Sequence, residues 1–348
     1  MADAPGPPGI ADIEAAAARI APHVRRTPTI DVDCAGTRID IKLECLQVSG
    51  TFKARGAFNR LLSARVAQPG LFRVVAASGG NHGIAVALAA AELGMQADIF
   101  VPATSPPAKL QRLRALGATV HARGAHYAEA LAASQAFAAE TGALVSHAYD
   151  QPETLAGQGT LAREWQQQSP GLDAVLVAVG GGGLIGGMAA WYGARAQAGE
   201  RLVEVIAVEP EGCPSLHASL AAQRIVEVQP QGLAVDSLGA RRVGELMFPI
   251  AQRHVSRCVL VPDDAILRAQ AWLWQRLRVA VEPGGAAALA ALLSGAWRPA
   301  PGQRVGVLAC GANVDLRALA QTVDTVEDVA AGGTSAPGDP AESRRPRA

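Results

Sequence analysis

Six short apolar runs alternate with Ala- and Leu-rich stretches of helical length, and this alternation confines the chain to a small set of folds. The runs are VVAAS (74–78), ADIFVP (97–102), ALVSHA (143–148), AVLVAVG (174–180), VEVIAVEP (203–210) and RVGVLACG (304–311). Helix candidates are AVALAAAELG (85–94), PAKLQRLRALG (107–117), YAEALAASQAFAAETG (127–142) and AILRAQAWLWQRLRV (265–279). Three of them close on Gly, which accepts the left-handed conformation of a helix end. Such a pattern is that of βαβ units with parallel strands buried on both faces. The expected class is α/β.

At 348 residues and 49% hydrophobic composition, the chain has room for two modest cores. Breaks at Gln68, Pro69 and Gly70 and at Asp150, Gln151 and Pro152 predict a small domain at 70–148. A larger domain then takes 10–69 plus 149–328. Residues 1–9 and 329–348 have the Pro/Gly-rich composition of tails. Lys plus Arg and Asp plus Glu number 31 each, which gives no electrostatic footprint for nucleic acid. The five cysteines (Cys34, Cys45, Cys213, Cys258, Cys310) contain no C-x-x-C pair, so neither a disulfide framework nor structural zinc is expected. No export signal or membrane-spanning run is evident, so a cytoplasmic protein acting on small molecules, with no membrane or nucleic-acid partner, is the expectation.

The chemistry concentrates in a few segments. In SGTFKARGA (49–57), Lys53 sits beside Phe52 among small residues. Desolvation there disfavours the ammonium form and leaves an amine able to form a Schiff base with an aldehyde cofactor. Taken alone, such a pair also fits a surface lysine. Gly180, Gly181, Gly182 and Gly183 follow a strand and precede a helix, the arrangement that converges backbone amides on a phosphate. A flexible turn is the plain alternative. Gly181, Gly183 and Gly186 also satisfy G-x-G-x-x-G, with Glu209 placed to hold a ribose, so a nicotinamide-dependent oxidoreductase competes. That reading leaves the Lys53 segment unexplained.

SGGNH (78–82) lies between a strand and a helix and gathers a hydroxyl, an amide, an imidazole and free backbone amides, a set able to grip a carboxylate. An ordinary N-cap by Ser78 or Asn81 would look the same. Cys310 falls at a strand-to-loop transition in LACGANVD (308–315), and EPGGAAALAAL (282–292) opens another helix behind an acidic residue. The seven histidines show no metal-ligand spacing, and no G-x-S-x-G elbow is present.

Taken in order, SGTFKARGAFN, ASGGNHGIAVA, AGQGT (156–160), VGGGGLIGG, VEPEG, EPGGAAALAAL and CGANVD resemble the fold type II pyridoxal-phosphate enzymes, most closely the serine/threonine dehydratases, over about residues 12–325. The resemblance implies a two-domain α/β fold like the tryptophan synthase β subunit, with pyridoxal 5'-phosphate as cofactor. It implies that Lys53 carries the cofactor, Phe52 lies beside it, Gly180 to Gly183 hold its phosphate and Asn81 bonds its ring hydroxyl. Ser78, Gly79, Asn81 and His82 would face the substrate carboxylate, and Cys310 would meet the pyridine nitrogen as a neutral thiol. The implied activity is β-elimination from L-threonine or L-serine to a 2-oxo acid and ammonia.

Departures from the pattern narrow this expectation. Gly79 stands where serine racemases of this fold carry a second hydroxyl, so racemisation should be weak. Relatives that bind Mg2+ or another divalent cation would use Glu209, the backbone carbonyl of Cys213 and an acidic group where this chain has Ser215. A C-terminal regulatory domain is not expected, and a homodimer is. Substrates such as 3-hydroxyaspartate or phenylserine remain alternatives, as does a cofactor-binding protein without catalysis.

Overall fold

A computed structural model describes residues 6–34 and 36–326. Its strands are β1 (Thr29–Cys34), β2 (Thr37–Lys42), β3 (Arg73–Ala77), β4 (Gln96–Val101), β5 (Thr119–Ala122), β6 (Leu144–Val145), β7 (Ala174–Ala178), β8 (Glu204–Pro210), β9 (Val255–Val261) and β10 (Val305–Leu308). The helices are α1 (Ile10–Ile20), α2 (Lys53–Ala67), α3 (Asn81–Glu92), α4 (Pro107–Ala115), α5 (Tyr127–Thr141), α6 (Pro152–Gln168), α7 (Gly183–Gln197), α8 (Ser215–Ala221), α9 (Val235–Leu238), α10 (Phe248–His254), α11 (Asp263–Leu277), α12 (Pro283–Leu293) and α13 (Leu316–Thr325). Of the expected tails, residues 1–5 and 329–348 lie outside the described residues, and residues 6–9 lead without regular structure into α1. No described helix is long and apolar enough to cross a membrane.

Two sheets organise the α/β fold. The larger has strand order β1-β2-β10-β7-β8-β9, and the smaller has β5-β4-β3-β6. Every pairing is parallel except β1 with β2, which are antiparallel with Thr29 opposite Lys42 and Cys34 opposite Thr37. Central β7 is buried at every position, as its unbroken apolar run AVLVA requires when helices cover both faces. The larger core gathers residues such as Trp165, Leu176, Ile185, Met188, Ile206 and Leu289. The smaller core lies under β3 and β4. Helix α2 contributes Ala54, Ala57, Phe58 and Leu61 to that smaller core, although its sequence position precedes the expected 70–148 unit.

Strands β1, β2, β5 and β9 escape the apolar-run reading. In β1 and β2, Asp31, Asp33, Arg38 and Asp40 interrupt the apolar residues, and β9 is an edge strand with exposed Ser256 and Arg257. A strand wet on one side needs only alternate apolar positions. In open parallel sheets the loops beyond the carboxyl ends of the strands form the natural crevice. Here β3 leads into Ser78–Asn81, β7 into Gly180–Gly183, and β10 into Cys310–Asn313.

Candidate active site

Backbone pairing sets Lys53 in place. Thr51 and Gly311 form an isolated antiparallel bridge, the Phe52 amide donates to the Cys310 carbonyl at 3.1 Å, and the Ala312 amide donates to Gly50 at 2.8 Å. These bonds stitch the segment before α2 to the loop after β10, and so bring two distant motifs together. Lys53, the first residue of α2, donates from Nζ to the Ala148 carbonyl at 2.7 Å, and Nζ stands 5.0 Å from the Phe52 ring centroid. Burial lowers its pKa to about 8, against a partial upward pull from Cys310 and Glu282. An amine in that range is a substantial nucleophile and base near neutral pH.

Beside Lys53, the glycine loop opens α7. Gly182 has a φ of 86°, a conformation that suits glycine. A Cβ on Gly181 would stand 2.2 Å from Cδ1 of Tyr149, so only a residue without a side chain lets that ring approach. The Tyr149 hydroxyl donates to the Arg242 carbonyl at 3.3 Å, and its ring meets His147 edge-on at 4.7 Å. With α7 beginning at Gly183, its first amides have no carbonyl one turn back and face an anion-compatible dipole.

On the smaller sheet, α3 begins at Asn81, and the Gly80 amide donates to Ser78 Oγ at 3.3 Å. Asn81 is held at both ends. Its Nδ2 donates to Glu282 at 2.7 Å, and its Oδ1 accepts from Asn313 Nδ2 at 2.6 Å. Arg112 in turn donates to Asn313 Oδ1 at 2.5 Å. Burial lifts the Glu282 carboxyl to about 7. The Cys310 thiol points at the Gly284 carbonyl, 3.4 Å away, and burial pushes its pKa far up, so it stays protonated.

The structure therefore brings Phe52, Lys53, Asn81 and Cys310 together, with the Gly180–Gly183 loop adjoining through Ala148 and Tyr149. Two expectations need correction. The His82 ring, expected to face the substrate carboxylate, is buried, its Nε2 lies 2.9 Å from the Ser146 carbonyl, and burial together with the Lys53 charge lowers its pKa to about 3. A neutral imidazole beside a carbonyl has Nε2 as its donor. Only the backbone amide of His82 is left for an anion. Glu209, offered by sequence to a ribose or a cation, is fully buried and accepts from the amides of Leu216 at 2.8 Å and His217 at 2.7 Å. A carboxylate so occupied is closed to a ribose. Glu282, Asn313 and Tyr149 received no role from sequence; the first two lie inside quoted motifs, whereas nothing local marks Tyr149.

Comparison with known proteins decides the family. Residues 20–311 match the family described as pyridoxal-phosphate dependent enzyme. The chain belongs to that family. It is 36% identical over 318 residues to phenylserine dehydratase of Ralstonia pickettii, covering 90% of this chain and 96% of the relative. To the L-threonine ammonia-lyase of Geobacter sulfurreducens it is 36% identical over 316 residues, covering 90% and 77%. The structure of maize serine racemase superposes with a TM-score of 0.83 at 34% identity, covering 91% of this chain and 97% of that one. The pyridoxal-phosphate enzyme fold here is thus of type II, as the motif order implied.

Proposed function

We propose that this protein is a lyase that eliminates the β-hydroxyl group of a β-hydroxy L-amino acid, releasing a 2-oxo acid and ammonia, with L-threonine and L-serine as the leading substrates. The observation that carries the reading is the desolvated Lys53 amine, set between the glycine loop at the start of α7 and the start of α3. Relatives named as ammonia-lyases and dehydratases support the reaction class.

The residues fit pyridoxal phosphate. Lys53 is a buried amine, the glycine loop is a side-chain-free cradle of amides, and Asn81 is oriented by Glu282 and Asn313. In this reading Lys53 carries the cofactor, Gly180 to Gly183 hold its phosphate, Phe52 flanks it, Asn81 meets its ring hydroxyl and Cys310 its ring nitrogen. The bound cofactor supplies an electron sink that its own chemistry provides. The protein contributes position and proton management. Once the substrate amine has taken its place on the cofactor, the freed Lys53 amine would take the α-proton, which its lowered pKa permits near neutral pH. The backbone amides at the start of α3, with Ser78, orient the substrate carboxylate. Cys310 holds its proton and adds no charge. Gly79 offers no side-chain donor to the opposite face of the α-carbon, which favours elimination over racemisation.

The test is 2-oxo acid release by the cofactor-loaded protein from L-threonine, L-serine, L-threo-phenylserine and L-threo-3-hydroxyaspartate, with D-serine formation followed in parallel. Release from L-threonine or L-serine, abolished by Lys53→Ala, is expected. Release confined to phenylserine or hydroxyaspartate would move the substrate assignment. D-serine as the main product would overturn the lyase reading.

A further inference from the structure

Glu209, the penultimate residue of β8, is a fully buried carboxylate. Four donors converge on it: the amides of Leu216 and His217 from the first turn of α8, the Ser215 hydroxyl at 3.1 Å and the Cys258 thiol at 3.5 Å. A carboxylate offers about four lone-pair sites, so this set occupies it. The Cys213 carbonyl is engaged as well, accepting the Ser215 amide at 3.1 Å. Among the described residues no group of three or more His, Cys, Asp or Glu gathers where a metal could sit. A hard divalent cation wants about six to eight oxygens, normally with several carboxylates among them, and the arrangement around Glu209 does not fit one.

Ser215 has a second neighbour. Its Oγ also lies 3.0 Å from the carbonyl oxygen of Gly180, the first residue of the glycine loop, so its single proton is shared between two acceptors, the Gly180 carbonyl and Glu209 Oε1. The hydroxyl therefore spans the gap between an anchored carboxylate and the loop.

We infer that Ser215 is a positioning residue that takes the place of a cation: its hydroxyl ties the Gly180 carbonyl to the Glu209 anchor, so the loop grips the cofactor phosphate without divalent metal. The inference rests on the assignment of Gly180 to Gly183 to that phosphate. Removing the hydroxyl leaves the loop carbonyl without this partner, and one lost hydrogen bond of this kind corresponds to about a tenfold change in an equilibrium constant.

The test measures the dissociation constant of pyridoxal phosphate by quenching of tryptophan fluorescence, together with the 31P resonance of the bound phosphate, in EDTA and in magnesium. For the unaltered protein the two buffers should give the same constant. Ser215→Ala should weaken binding about tenfold and move the 31P resonance in both buffers, and Ser215→Thr should restore both. Ser215→Asp supplies the missing carboxylate and should make binding magnesium-dependent. EDTA weakening the unaltered protein, with magnesium restoring it, would overturn the inference, and that comparison stands even if Ser215→Ala does not fold. An unchanged constant and resonance in folded Ser215→Ala would also overturn it. Failure of the phosphate-loop assignment would look different: Gly181→Ala, which crowds the loop itself, would leave both the constant and the 31P resonance unchanged.

Discussion

Arg55 lies two residues beyond Lys53 in the first turn of α2, and its replacement by alanine should be among the most damaging single changes outside the cleft. The side chain is 2% exposed and forks onto Glu44, with Nε to Oε1 at 2.6 Å and Nη2 to Oε2 at 3.0 Å. It also donates to Glu164 at 3.0 Å and to the Thr160 hydroxyl at 3.3 Å. Without it, Glu164 keeps Lys42 at 2.5 Å, whereas fully buried Glu44 keeps only neutral donors, Thr27 at 2.7 Å and Gln47 at 3.2 Å. Breaking a buried pair from one side strands a charge and costs about 3 to 5 kcal/mol. For 348 residues the unfolding entropy is about 0.7 kcal/mol per degree, so a drop in Tm of about 4 to 7 °C follows if unfolding is cooperative.

The same geometry fixes how that loss varies with pH. Burial pushes the Glu44 carboxyl upward, but the Arg55 charge and hydrogen bonds, helped by the Lys42 charge and the Thr27 hydroxyl, outweigh it and hold the folded pKa below the ordinary value. A depressed carboxyl contributes stability above its unfolded pKa and loses it as pH falls through the folded value. With Arg55 gone, only the Lys42 charge and the Thr27 hydrogen bond still oppose burial, so the folded pKa rises, and the stability of the variant falls as pH rises through it. The deficit of Arg55→Ala should therefore be larger at pH 8 than at pH 5, and Glu44→Gln should recover much of it by removing the stranded charge. Calorimetry of the four members of this cycle at both pH values is the assay. A deficit below about 1 kcal/mol, or one unchanged by pH and by Glu44→Gln, would refute the stranded-charge argument.

Two further outcomes follow from the site. Gly181→Ala places a methyl group 2.2 Å from the Tyr149 ring and should weaken pyridoxal-phosphate affinity, read by fluorescence titration, by at least about tenfold; pairing it with Tyr149→Ala should recover part of the loss. His82, whose pKa falls from 6.5 to about 3, favours the folded state above pH 6.5 and loses that contribution as pH falls toward 3. The difference corresponds to about 5 kcal/mol as an order of magnitude. His82→Gln, which keeps a donor for the Ser146 carbonyl but cannot titrate, should flatten the acid side of the stability profile measured by urea denaturation; an unchanged acid limb would count against it.

What was legible in the sequence was what a residue's own backbone demands, and what was not was what fills the space beside it. β7 and its glycine loop read clearly because a strand buried on both faces must be apolar throughout, and because a phosphate cradle needs residues without side chains. The identity of the group that forbids a side chain at Gly181 was invisible, since Tyr149 reaches it only through tertiary packing. His82 shows the same limit in reverse: the motif placed an imidazole at a helix start, but β6, paired beside β3, runs on into Ser146, whose carbonyl claims the ring. Asn81 combines both cases. Its place in SGGNH predicts a polar contact, yet an amide can present either end, and the choice is made by Glu282 and Asn313, each more than two hundred residues away. Because Glu282 accepts and Asn313 donates, Nδ2 and Oδ1 have assigned directions, which leaves one Nδ2 hydrogen free for a ligand oxygen. The sense of that donor, and so the part Asn81 can play toward a ring hydroxyl, belongs to the folded chain and to no single motif within it.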